Sequence, residues 1–402
     1  MKVLLAVLVM LAFALGVACA GPGDDSGLSP EAKALKEKYD ASIKALSDQF
    51  QKDLAALSAG TYKPGAPPAP AAPPKKSWAD SLMINGYFQT RFEGRQYDGI
   101  ANERDEFTLR RLYMNVISPV DNTTTAVVTY AGVGPLFREG GGGSFENIFV
   151  DYKPVPTWTI RMGQAPNWFG LDAAESSSIR IPPERALVTE GNTVLGLSGL
   201  YAFGPSDRGL WVTWDGRPLS PDKKQGLRVT GSVHNGQFQD TDKNNNKNVS
   251  LDAEYFTKWG QFGASWLDGM YTNARVTPTA TQDRSAFGLN LRLFPGVAVP
   301  NWGFQAEWLD GTWLGTDRTG WYAQASYHFP DKQNIAYTRY EEFNPNKNAV
   351  NDTYNGLHLG VKHSITPMDD VTLEYVLGNV GRGSAGGDFK ADDLFVQYQR
   401  KF

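Results

Sequence analysis

After residue 20 the chain holds no apolar run near the roughly 20 residues that a spanning helix needs, so any membrane embedding has to use strands, which hydropathy misses because every second residue is polar. Cysteine is almost missing: Cys19 stands alone, which excludes intrachain disulfides. Charge of one sign is not in excess either, since 39 basic residues face 43 acidic ones, both scattered, for a net charge of -4. That balance leaves no electrostatic footprint for nucleic acid. The patterns of hydrolytic chemistry are missing too. There is no H-E-x-x-H, no G-x-S-x-G and no clustered carboxylate pair, and His234, His328, His358 and His363 fall on four different predicted strands. No catalytic residue, no cofactor and no metal site is expected.

What is present starts with an export signal. Lys2 precedes an apolar stretch from Val3 to Val17, and Ala18-Cys19-Ala20 offers a small-residue cleavage site. Cleavage after Ala20 and lipidation at Cys19 both remain open, although Gly16 stands where a lipoprotein signal usually carries Leu. Residues 21–60 are expected to form a helical, coiled-coil stalk. Ser29 suits a cap and Pro30 the first turn. Leu35, Tyr39, Ile43, Leu46, Phe50, Leu54 and Leu57 then recur in an eleven-residue repeat that keeps one apolar stripe. Self-association through that stripe and a solitary amphipathic helix are the two readings of it. Residues 61–77, mostly Pro and Ala, read as an extended linker.

From Trp78 to Phe402 the period becomes two. Phe287, Leu289, Leu291 and Leu293 alternate with Gly288, Asn290 and Arg292, and Val371, Leu373, Tyr375 and Leu377 with Thr372 and Glu374. About sixteen such strands can be placed, the first near 82–92, two at 302–310 and 320–329, and the last at 391–402. The gaps alternate, long after odd-numbered strands and short after even-numbered ones, the first being 93–105 and the longest 165–207. Aromatic residues such as Tyr152, Trp158, Trp259, Trp302 and Phe329 flank the short gaps. Sixteen strands, alternating gaps, interfacial aromatics and a last strand closing on Phe402 predict an all-β fold, a transmembrane antiparallel β-barrel over residues 78–402 preceded by the stalk.

Several segments resemble the phosphate-selective porin O and P family. They are Asn85-Gly86-Tyr87-Phe88-Gln89-Thr90-Arg91, Phe107-Thr108-Leu109-Arg110-Arg111, Arg161-Met162-Gly163-Gln164 with Pro166 and Phe169-Gly170, Pro183-Glu184-Arg185, Asp207-Arg208-Gly209 and Gly320-Trp321-Tyr322-Ala323-Gln324. The resemblance covers most of residues 82–402. It implies a trimeric sixteen-stranded barrel whose third loop folds into the lumen, and the longest gap falls at that place.

Strand phase puts Arg91, Arg111, Asp151, Arg161, Arg228, Arg292, Glu307 and Lys362 on the inward side, as candidate pore lining. Loop 165–207, a candidate constriction, carries Asp172, Glu175, Arg180, Glu184, Arg185 and Glu190. Inward arginines are mixed with acids, and the loop has no lysine cluster. The expectation is therefore an outer-membrane channel for small hydrophilic solutes and anions with weak charge selectivity. A phosphate- or anion-selective channel, or a non-conducting tether or adhesin, are the alternatives. The expected partners are outer-membrane lipids, two further copies in a homotrimer, and the cell wall through a periplasmic stalk. The run from Asp240 to Asn246 has a calcium-loop look, but it lacks the glycine and has Leu251 in place of the bidentate Glu, so it reads as a polar external loop.

Overall fold

The computed structural model describes residues 81–402 apart from 99–103, 134–143, 193–194, 196, 201–205, 238–241, 243, 274–279, 298 and 382–387, together with positions 44 and 48. The expected signal, stalk and linker lie outside the described residues.

Sixteen strands form one closed sheet. They are β1 (Met83–Tyr97), β2 (Arg104–Pro119), β3 (Thr124–Val133), β4 (Ser144–Tyr152), β5 (Trp158–Ala165), β6 (Asp207–Asp215), β7 (Gly226–His234) and β8 (Asn248–Phe256), continuing with β9 (Gly260–Asn273), β10 (Ala280–Leu293), β11 (Trp302–Trp313), β12 (Thr316–His328), β13 (Asn334–Asn344), β14 (Tyr354–Thr366), β15 (Asp369–Val380) and β16 (Phe389–Lys401). Each pairs antiparallel with its chain neighbours, and β16 returns to β1, so every strand has two partners. At the seam Gly86 and Phe402 exchange both backbone hydrogen bonds, at 2.9 and 3.0 Å. A Cβ on Gly86 would come within 2.7 Å of the Phe402 ring and 2.1 Å of the Tyr113 carbonyl, which is why glycine stands there.

Connections after even-numbered strands and Phe402 lie at one end of the barrel, here the short-turn end. Tyr152, Trp158, Tyr255, Trp259, Trp302 and Phe329 are exposed there as a belt. From that belt outward-facing residues are apolar: Ile148 and Val150, Phe262 and Trp266, Phe287 and Leu289, Phe304 and Trp308, Leu373 and Tyr375. Inward-facing residues at the same level are polar and buried, among them Gln89, Asn290, Gln324, Glu374 and Gln397. A protein with its apolar surface outside and its polar groups inside is matched to lipid around it rather than water.

The alternation of gap lengths is looser than expected. The gap placed at 311–319 is a two-residue turn, because β11 and β12 run on to Trp313 and Thr316. Leu314 and Gly315, with φ of 53° and 70°, give the doubly left-handed turn whose twist suits a tight hairpin. Conversely the connection 216–225 at the short-turn end is long and holds a 3-10 turn, Arg217–Leu219.

Candidate functional site

The described residues between β5 and β6, 166–192, 195, 197–200 and 206, turn into the barrel. Their base is fixed where the two strands end. Asn167 meets His234 Nε2 at 3.2 Å and accepts from Trp211 Nε1 at 3.2 Å, while Asp207 Oδ2 lies 2.9 Å from His234 Nδ1 and accepts the Gly236 amide at 2.9 Å. Glycine stands at 170 because the backbone takes φ 74° there and a Cβ would strike the carboxylate of Glu307. That carboxylate, inward on β11, accepts the amides of Leu171 and Asp172 at 2.7 and 3.1 Å. The single turn of helix Leu171–Ala174 is thereby docked on the wall.

The segment is then tied around most of the lumen. Arg292 on β10 pairs with Glu175 at 2.7 Å. Lys362 on β14 donates to the Arg180 carbonyl at 3.1 Å, Gln399 on β16 to the Ser178 carbonyl at 2.9 Å, and Gln89 on β1 to the Ser177 carbonyl at 3.2 Å. Within the strap, Arg185 donates to the carbonyls of Asp172 (3.0 Å) and Glu175 (3.2 Å), and Asp172 accepts the Ala186 amide at 2.8 Å. Glu341 on β13 accepts the Leu187 amide at 2.9 Å. Beyond these polar ties, toward the long-loop end, Phe169, Leu187, Val188, Leu197 and Leu200 pack with Tyr97, Leu267, Leu309, Trp313, Tyr322, Phe343, Tyr354 and Val380 in one buried apolar cluster. Its wall residues come from β1 and β9 to β16; among the described residues β2 to β8 contribute none.

The densest charge lies at Glu184. Its carboxylate receives Arg110 Nε at 2.6 Å and Nη2 at 2.9 Å, Arg91 Nη2 at 2.5 Å and Arg111 Nη2 at 3.0 Å. Burial alone would favour the protonated acid; the charges of Arg110, Arg111 and Arg91 outweigh it and hold the carboxyl well below the usual carboxylate range. Glu190, beside Arg110 at 3.3 Å and Arg185 at 3.5 Å, is likewise partly desolvated, repelled by Glu184, and still held low by Arg111, Arg185 and Arg110. Burial and the neighbouring Arg185 bring the Arg180 guanidinium down to about 10.

All eight residues proposed from strand phase lie on the inward side of their strands. Asp151 and Arg161 pair at 2.7 Å, with the guanidinium over the Phe149 ring at 3.9 Å, and Arg228 binds Glu254, Nε at 2.6 Å. The structure draws Arg91, Arg111, Glu307, Lys362 and Arg292 together through the strap, sets the Arg228 guanidinium 5.1 Å from the ring of Trp168 at the strap's base, and leaves the Asp151–Arg161 pair near the short-turn end. Sequence reasoning missed Arg110, Arg339, Glu341 and His358. Arg110 is the extra residue of a β-bulge, for Gln89 faces Arg111 while Thr90 faces Leu109, so two successive arginines reach the same carboxylate. Arg339 donates to the Glu184 carbonyl at 2.9 Å, and His358 lies between Glu341 (2.8 Å) and Glu374 (3.3 Å). In the calcium-like run, Asp242 is paired with Lys247 at 2.5 Å.

No protein-family model matches the chain, and no curated protein matches it. Solved structures do resemble it. The anion-selective porin from Comamonas acidovorans is 10% identical and superposes with a TM-score of 0.57 over 80% of this chain and 99% of that one. Salmonella typhi OmpF, in its complex with daunomycin, is 13% identical (TM-score 0.57; 80% and 97% covered). The trimer form of OmpT, an outer membrane protein of Vibrio cholerae, is 12% identical (TM-score 0.54; 80% and 100%). At such identities the likeness is one of fold: the chain has the closed, sixteen-stranded antiparallel barrel of outer-membrane porins.

Proposed function

We propose that the chain is an outer-membrane channel through which small hydrophilic solutes diffuse with weak charge selectivity, the strap 165–207 forming its narrowest section. The observation that carries the selectivity is pairing. Each of the five arginines expected to line the lumen already holds a carboxylate: Arg91 and Arg111 hold Glu184, Arg161 holds Asp151, Arg228 holds Glu254 and Arg292 holds Glu175. A dehydrating anion needs guanidinium groups free to replace its water. Paired guanidinium groups are a poor track for phosphate, so the family's phosphate selectivity is not assigned to this chain.

The route we assign follows β2 to β8, the wall from which the cluster around Phe343 draws no residue, past the smaller cluster of Phe149, Ala165 and Trp211 with Trp168. The short-turn end is assigned to the periplasm, the compartment also assigned to residues 21–60, and three copies assemble side by side in the outer membrane. A non-conducting anchor is the second reading, favoured by the apolar cluster that fills part of the lumen. Planar-bilayer recording separates the two. A conducting protein with a reversal potential near zero in a KCl gradient, not blocked by millimolar-order phosphate, supports the proposal. Absence of current supports the anchor, and strong anion preference with phosphate block supports the phosphate-selective alternative.

A further inference from the structure

The reading of the lumen as weakly selective leaves unexplained why three guanidinium groups, two of them aimed by a bulge, converge on a single carboxylate from the strap. Arg91, Arg110 and Arg111 come from two strands of the wall, and four donor contacts of 2.5 to 3.0 Å end on the two oxygens of Glu184. Arg91 is 3% exposed, and its Nε and Nη1 have no hydrogen-bond partner among the described residues. Around this point lie five guanidinium groups, of Arg91, Arg95, Arg110, Arg111 and Arg185, and four carboxylates, of Glu93, Glu184, Glu190 and Asp393. Without Glu184 the guanidinium groups of Arg91, Arg110 and Arg111 would keep only Glu93 and Glu190 beside them and would present a cationic socket of carboxylate shape.

We propose that this socket is an anion-binding site for small carboxylates and that Glu184 is its tethered occupant, the residue that determines the channel's indifference to anions. The inference rests on the porin reading for its consequence in conduction, but not for the binding itself. A carboxylate on the strap, whose backbone is held at Leu187 by Glu341 and at Glu184 by Arg339, has an effective concentration far above the millimolar order of a flexible tether. A free carboxylate therefore competes poorly in the natural chain and binds once the side chain is removed. Arg110 is specific to this arrangement, because in an unbulged strand it would face lipid.

The test uses the full chain with E184A and E184Q, in detergent and in planar bilayers. Formate, at tens of millimolar or about that order, should raise the melting temperature of E184A by about 2 °C or more relative to the same concentration of chloride. It should leave the natural protein unmoved, and the effect should vanish in E184A combined with R111Q. E184Q keeps the shape and drops the charge, so its reversal potential should move toward anions. Equal formate responses in E184A and the natural chain, or none in either, would overturn the site. An unchanged reversal potential in a conducting E184Q overturns it too, even if E184A does not fold. If the natural protein carries no current, the channel reading fails while the formate melt still decides the socket.

Discussion

On β11 to β15 the stretch near the short turns and the stretch near the long loops share the same strands and the same period of two, yet they are built inside out relative to each other. On β11 the outward residues Trp302, Phe304 and Trp308 are followed by Asp310 and Thr312, while the inward Gln305 and Glu307 are followed by Leu309 and Trp313. The neighbours switch at the same level. Trp321 gives way to Thr319 on β12, Tyr340 to Glu342 on β13, Leu357 to Asn355 on β14 and Leu377 to Asn379 on β15. Inward, Glu341 gives way to Phe343, His358 to Tyr354 and Glu374 to Val376 and Val380. The surroundings dictate both arrangements. Where lipid surrounds the wall, apolar groups face out and polar ones pair inside; where water surrounds it, the same backbone makes an ordinary apolar interior. The strap obeys both regimes, tied by charge in the first half and by Leu187, Val188, Leu197 and Leu200 in the second.

The largest effect that could break this comparison comes from the water-surrounded half. Phe343 is 0% exposed and faces the strap. Phe343→Ala should cost about 3–5 kcal/mol, read as a fall in the thermal midpoint, together with noisier and larger single-channel currents. A lumen that was open and wet at this level would show neither change. In the lipid-facing half, Leu289 is 48% exposed, and Leu289→Lys should cost about 2–4 kcal/mol in a lipid bilayer. Asn290→Lys, one residue along and inward, should cost less than Leu289→Lys, because it meets polar neighbours such as Glu307 rather than lipid, and should shift the reversal potential toward anions. Exchange of those two outcomes would mean that β10 is out of phase.

Phase was legible because a one-residue slip would move every side chain to the wrong face, and Phe287, Leu289 and Leu291 leave one choice. The inversion of polarity was not. A reader applying the lipid rule ends β11 at Asp310, the first outward acid, whereas the strand continues in water to Trp313. The strap was legible by its length alone. Its anchors were not, since Glu307 and Glu341 hold backbone amides of Leu171, Asp172 and Leu187, which no side-chain pattern reports. Arg110 was hidden for a different reason: strict alternation turns it outward, and no spacing announces a bulge. Arg339 and Glu341 were obscured because β13 carries tyrosine and acid on both faces, Tyr337 and Glu341 inward, Tyr340 and Glu342 outward.

A smaller effect sharpens the division of the strap into a charged and an apolar part. Glu184 has its carboxyl held well below the ordinary glutamate value of 4.5, so its hold on the wall is complete above that value. It is lost only as pH falls through the depressed value. The difference in conductance and selectivity between the natural chain and E184Q should therefore stay constant from neutral pH down to about 4.5 and shrink only below it. The change should be partial, because the apolar packing around Phe343 does not titrate. A transition centred between pH 5 and 7 would place the controlling group elsewhere in the lumen.

The smallest expected effect is the one that locates the boundary between the two halves. Asp310 faces outward two residues beyond Trp308, and its carboxylate pairs with Lys347 at 2.9 Å, both side chains being partly exposed. In water such a pair contributes about 0–1 kcal/mol, because solvent screens it and two side chains must be ordered to form it. Asp310→Ala should thus change stability by about 0.5 kcal/mol or less, in detergent and in bilayers alike. If lipid reached Asp310, removing the acid would instead relieve a desolvated group and stabilise the barrel in bilayers but not in detergent. Comparing the substitution in the two media therefore tests whether the apolar band ends between Trp308 and Asp310, as the switch to Leu309 and Trp313 on the inward side requires.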